Sequence, residues 1–114
     1  MPPTKERKLS ACTIQTNCVL VEWEFKNVEQ AYSKLIKLAS NLPRTTIQEQ
    51  TNDYWHGVCR SLIFRFPDDL EILKLSGERI IQVRSASRVG LGDLGVNKNR
   101  VQNLYRLMKQ NISI

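Results

Sequence analysis

Apolar and polar positions change period several times along the chain, and each change marks an element. In residues 19–25 (VLVEWEF), Val21, Trp23 and Phe25 alternate with Glu22 and Glu24, the two-residue period of a half-buried strand. Asn27 follows as an N-cap, with Gln30 three residues on as in a capping box and Glu29 in the first turn, where the helix dipole favours an acid. The period then becomes helical: Val28, Ala31, Tyr32, Leu35, Leu38, Ala39 and Leu42 form one stripe, which Asn41 and Pro43 stop. The polar side of this helix is not strongly basic, which favours core packing over a membrane-surface role.

Residues 45–50 read as a strand, and Asn52-Asp53 as a turn. Residues 54–66 (YWHGVCRSLIFRF) read as one long strand. Tyr54, His56, Val58, Arg60, Leu62, Phe64 and Phe66 share one side; Trp55, Cys59, Ser61, Ile63 and Arg65 share the other. Pro67-Asp68-Asp69 interrupts that strand, residues 70–75 resume it, Ser76-Gly77-Glu78 turns, and residues 79–85 form the last strand. Residues 97–110 read as a second helix, capped by Asn97, with Val101, Leu104, Tyr105, Met108 and Ile112 as its apolar stripe. Short turns between strands imply an antiparallel meander. The expected fold is α+β, in the order β-α-β-β-β-α, with a mostly antiparallel sheet and both helices packed on one face. Residues 1–10 are expected to be a disordered basic tail, and residues 11–114 a single domain.

A chain of 114 residues can bury a core without disulfides or a metal. Its 41% hydrophobic and 25% charged residues are those of a soluble globular protein. No apolar run approaches the ~20 residues of a membrane span. Three cysteines, Cys12, Cys18 and Cys59, with no visible export signal, imply free thiols in a reducing, cytoplasmic setting. Cys12 and Cys18 are near enough in sequence to close a small loop under an oxidant. Leu9-Ser10-Ala11-Cys12 has the shape of a lipoprotein cleavage box, but the polar residues before it supply no apolar region. A start upstream would open an envelope or thylakoid location instead. The cysteine spacing does not match a C-x-x-C half-site, and His56 is the only histidine, so no metal is expected.

Charge sharpens the picture. The net charge is +6, and residues 84–109 carry six Lys or Arg against one acid, Asp93. Within that quarter, residues 90–95 (GLGDLG) match the dinucleotide fingerprint letter for letter. A dinucleotide loop needs a second parallel strand ending in an acid about 20 residues on. Only 19 residues follow Gly95, a helix takes nearly all of them, and no acid occurs after Asp93, so no nucleotide cofactor is expected. Glycines opening a helix can still present N–H groups to an anion, here between Arg84 and Arg88 on one side and Lys98 and Arg100 on the other. The competing structural reading has Asp93 as a turn residue, Asn97 as cap, and the arginines paired with Asp68, Asp69 and Glu71.

Residues 64–66 (FRF), Asp68-Asp69, residues 83–90 (VRSASRVG), residues 93–97 (DLGVN) and Arg100-Val101 occur in this order, with Cys12 and Asn17-Cys18 upstream. The pattern resembles domain-of-unknown-function family 1499, over roughly residues 11–110. The resemblance implies bacterial, cyanobacterial or plastid-bearing sources and members that often carry export signals or membrane segments. It implies no activity, substrate or cofactor. Leu91-Gly92 stands where that family usually shows Tyr-Ser, Pro67 where it shows Val, Val58 where it shows Glu, Lys98 where it shows Arg, and Gln102 where it shows Glu.

The expected function is a small accessory protein that docks an acidic protein or an anionic ligand. The residues singled out for it are Arg84, Ser85, Ser87, Arg88, Gly90, Asp93, Gly95, Asn97, Arg100, Asp68 and Asp69. The alternative is an enzyme built on Asp68, Asp69 and Asp93, with Ser85, Ser87, His56 and Cys59 nearby in the chain; no nucleophile–base–orienter spacing supports it. Adjacent Asp68 and Asp69, if extended, point to opposite faces. Specific nucleic-acid binding is not expected, because Glu22, Glu24, Glu49 and Glu71 spoil a basic stacking surface. The oligomeric state is left open.

Overall fold

Five strands and two helices make up most of residues 9–90 and 92–111, which the computed structural model describes. The elements are β1 (Cys18–Glu24), α1 (Val28–Ser40), β2 (Thr45–Gln50), β3 (Tyr54–Arg60), β4 (Pro67–Leu75), β5 (Ile80–Ser87) and α2 (Val96–Asn111). The strands form one antiparallel sheet in the order β1-β5-β4-β3-β2, an α+β fold as expected. Four strands lie between the helices, one more than the expected order counts.

Both helices cover the same face. Val28, Ala31, Tyr32, Leu35 and Ala39 of α1 and Val101, Leu104 and Met108 of α2 share one core with Trp55, Leu70, Ile72, Ile81 and Val83 of the sheet. Alternation along each strand sends every second side chain into that core. Asn27 caps α1 as expected, its Oδ1 accepting the Gln30 N–H at 3.1 Å, and Asn41 closes the other end.

Gly57 belongs to the packing of β3. A Cβ there would run into Cη2 of the fully buried Trp55, two residues earlier on the same face. The indole occupies the space over position 57 because no side chain stands there.

Four expectations are corrected in this framework. First, residues 54–66 are not one strand. β3 ends at Arg60, and residues 61–66 turn back: Arg65 takes φ +60°, the Ser61 N–H donates to the Phe66 carbonyl at 3.1 Å, and the Phe66 N–H donates to Ser61 Oγ at 2.9 Å. Pro67 then opens β4 opposite Arg60 instead of interrupting a strand, a first-residue position that proline tolerates.

Second, Leu9 is not part of a free tail. It is buried on the sheet's other face with Tyr54, Leu73 and Leu75, and its N–H donates to Gln82 Oε1 at 2.9 Å. The rest of the expected tail, apart from Ser10, lies outside the described residues, as do Leu91 and Ile112. Third, Cys12 and Cys18 are joined in a disulfide, so only Cys59 is a free, buried thiol. Fourth, Asn97 is not the cap of α2. It is fully buried one residue inside the helix, and Asp93 caps in its place. Among the described residues no helix is long and apolar enough to cross a membrane.

Candidate functional site

β5 divides the residues of interest between two faces. Its alternation sends Ser85 and Ser87 toward the helices and Arg84 to the opposite side, where Arg88, just past its end, also lies. Asp68 and Asp69 on β4 divide in the same way.

On the helix side a polar network ties α2 to the sheet. Ser85 Oγ donates to Asn97 Oδ1 at 2.6 Å. Asn97 Nδ2 reaches the Asn17 carbonyl at 3.1 Å, Ser87 Oγ at 3.0 Å and Asp93 Oδ2 at 2.5 Å. Arg100 Nη1 donates to Ser85 Oγ and Asn97 Oδ1, each at 2.9 Å, while its Nη2 pairs with Asp68 at 2.9 Å. Asp68, Ser85 and Asn97 are buried, and a buried polar group without partners costs free energy. Here each has one, so the network acts as a lock between β4, β5 and α2.

On the opposite face, Arg88 grips Asp69 with two bonds of 2.8 Å, and His56 Nε2 lies 2.6 Å from the same carboxylate. Burial pushes the Asp69 pKa up, but hydrogen bonds and charge from Arg88 and His56 outweigh it and hold the carboxyl below its ordinary range. The same bond raises the Arg88 pKa. Beside this pair, Tyr54 OH donates to Glu71 Oε2 at 2.5 Å, and Arg84 approaches Glu71 at 3.5 Å. Burial first, and the bond to Glu71 second, push the Tyr54 phenol far above its usual range. Together these side chains line a shallow cleft of about 320 Å³. Its arginines are balanced by Asp69 and Glu71, so the cleft is mixed in charge rather than anion-selective.

The described part of the glycine string, residue 90 and residues 92–95, leads into a helix start that is already occupied. Gly90 and Gly95 both take φ +82°, a region that favours glycine; Gly92 does not. The Asp93 carboxylate accepts the N–H of Gly95 at 2.8 Å and of Asn97 at 3.1 Å. The helix start therefore binds an internal anion where an external one would sit. Partial burial raises the Asp93 pKa, but bonds from the Asn97 side chain and from the backbone N–H groups win and lower it. Asn17 fastens the turn from the other side, its Nδ2 donating to the Gly90 carbonyl at 2.9 Å.

The acids considered for catalysis do not converge. Asp68 faces the helices, Asp69 the opposite side, and Asp93 caps α2. Ser85, Ser87 and Cys59 lie on the helix side, away from His56. Among the described residues no three His, Cys, Asp or Glu side chains gather as a metal-ligand set.

A feature that sequence reasoning missed lies at the end of the sheet where β3 turns into β4. Arg44, Arg60 and Arg65 are exposed there and have no acidic partner among the described residues. Arg44 and Arg60 hold each other's backbone: the Arg60 N–H donates to the Arg44 carbonyl at 3.1 Å, and Arg44 Nε donates to the Arg60 carbonyl at 3.0 Å. Between them and β4 the turn exposes Leu62, Ile63, Phe64 and Phe66. The signal in the sequence was the run of apolar residues on both sides of the supposed strand after Arg60, which no single buried face could absorb.

A family model described as Protein of unknown function (DUF1499) matches residues 8–108, nearly the whole chain. No curated protein matches it.

Proposed function

We propose a role for this chain, which belongs to the DUF1499 family of proteins of unknown function: it is a small accessory protein that docks an acidic partner or an anionic ligand. The observation that carries this reading is an imbalance at one end of the sheet. The acids there, Asp68, Asp69 and Asp93, are engaged by Arg100, by Arg88 with His56, and by the start of α2. Arg44, Arg60 and Arg65 remain exposed beside them. Paired acids and guanidinium groups without an acidic partner leave a local positive field, and Arg suits bidentate carboxylate or phosphate recognition.

On this reading Arg84, Ser85, Ser87, Arg88, Asn97 and Arg100, with Asp68, Asp69, Asp93 and the Gly90–Gly95 turn, hold the docking end in shape. Arg88, about half exposed, is placed to touch a partner as well. The Cys12–Cys18 disulfide supports an oxidising compartment, such as an envelope or thylakoid space, over a reducing one.

Retention on immobilised heparin, a general polyanion, tests the reading. A variant with Arg44→Gln, Arg60→Gln and Arg65→Gln is compared with one of equal net charge, Lys26→Gln, Arg79→Gln and Lys109→Gln, altered at the far end of the sheet. The first elutes at clearly lower salt than the second. Co-elution of the two would mean that the charge imbalance at this end carries no recognition.

A further inference from the structure

The hairpin between β3 and β4 has a composition that a solvent-exposed turn rarely carries. Leu62, Ile63, Phe64 and Phe66 are 70%, 78%, 72% and 51% exposed, in a turn of only six residues. Isolated exposed apolar residues need no explanation, but a contiguous exposed apolar patch marks a binding surface. Phe64 and Phe66 stack at 5.4 Å, so the aromatic part of the patch is already assembled. The turn is also closed on itself. Ser61 and Phe66 exchange two hydrogen bonds, and Arg60 Nη1 donates to the Arg65 carbonyl at 3.2 Å.

The neighbourhood continues the pattern. The Arg88 N–H donates to the Pro67 carbonyl at 3.1 Å, which sets residues 88–90 beside the hairpin, and there Val89 is exposed. Leu94 is fully exposed in the turn that follows. Arg60 stands at the base of the apolar tip with Arg44 beside it, and Arg65 lies within the tip.

We propose that this end of the molecule binds an anionic lipid surface, with the 62–66 tip inserted at the boundary of headgroups and acyl chains and Arg44, Arg60 and Arg65 on the phosphates. The proposal rests on the anion-docking reading above and names its target. Charge complementarity favours a lipid surface over the other apolar occupants. Two copies meeting tip to tip would oppose like charges. A partner protein's contact face would be broad and poor in charge at its centre, whereas this tip is a narrow projection with arginine in its midst. A bilayer interface accepts both features: apolar side chains enter, and long cationic side chains reach back to the phosphates.

Flotation of the full chain with vesicles tests this. One set is phosphatidylcholine alone, and the other is equal parts phosphatidylglycerol and phosphatidylcholine. The chain floats with the second set and not the first, and added salt weakens the association. An Ile63→Ser, Phe64→Ser variant, changed only at exposed positions, loses about tenfold in vesicle affinity while keeping its heparin retention. The Arg44→Gln, Arg60→Gln, Arg65→Gln variant loses about a hundredfold. Three results would overturn the proposal. Undiminished vesicle binding by the serine variant would mean that nothing inserts. Heparin retention dependent on the arginines but without vesicle binding would leave the docking reading standing and remove lipid as its target. Concentration-dependent self-association without vesicle binding, abolished in the serine variant, would assign the tip to a second copy of the chain.

Discussion

At the scale of single residues, two carboxylates beside the glycine turn and the cleft contribute to how the chain responds to acid. Asp69 is held by Arg88 and His56, and Asp93 by the opening N–H groups of α2. Both pKa values lie below their ordinary 3.8 in the folded chain, with burial opposing and hydrogen bonds prevailing. As pH falls, the unfolded chain takes up these protons first, so the stability they contribute is present above the ordinary value and disappears as pH drops through the folded one. Denaturant unfolding from about pH 5 down to about pH 2 is expected to show a steep loss of stability, shallower in Asp69→Asn and in Asp93→Asn. An unchanged slope in both variants would move the acid response elsewhere. The Arg–Asp pairing was readable in the sequence as one alternative, because basic and acidic residues flank complementary strands. Which arginine meets which acid was not, since Asp68 and Asp69 are adjacent in sequence and pair on opposite faces of the sheet.

At the scale of elements, β3 shows how a local pattern is overruled. Residues 54–66 keep a strand-like composition throughout, yet pairing stops at Arg60, where the chain must turn for β4 to run antiparallel. Propensity alone does not reveal a turn built from Leu, Ile and Phe, because it lacks the Gly, Asn and Asp that usually mark one. The α1 boundaries were legible, by contrast, because a cap and a stop bracket a clean helical stripe. Within β3, Gly57 has no sequence signature of its own; only the packed indole of Trp55 gives it a role. Gly57→Ala is therefore expected to destabilise by about 1–3 kcal/mol, because the added methyl displaces a fully buried ring. Urea unfolding checks this, with a near-neutral result meaning that the ring moves aside freely. An alanine at Gly77, which meets nothing within 4 Å, serves as the control.

At the scale of the whole molecule, the Cys12–Cys18 loop, the glycine turn and the start of α2 form one assembly. Asn17, next to the disulfide, bonds to Gly90 through its side chain, while its carbonyl accepts from Ser87 and Asn97. Reducing the disulfide lengthens no contact directly but frees a short loop in the unfolded chain, at about 2 kcal/mol of stability. Unfolding with and without reductant measures it, and equal midpoints would show that Asn17 is held without the bond. Local patterning by itself determined the α+β class, the helical stripes, most strands and the misfit of a dinucleotide loop, because period, caps and chain length are local or countable properties. Tertiary structure decided which face each strand residue occupies, which arginine is paired and which exposed, and that Asp93 fills the helix start. It also decided that an apolar stretch ends as an exposed tip with arginines at its base and within it. Those outcomes depend on register and on which neighbour arrives across the sheet, and a one-residue shift in register exchanges the two faces.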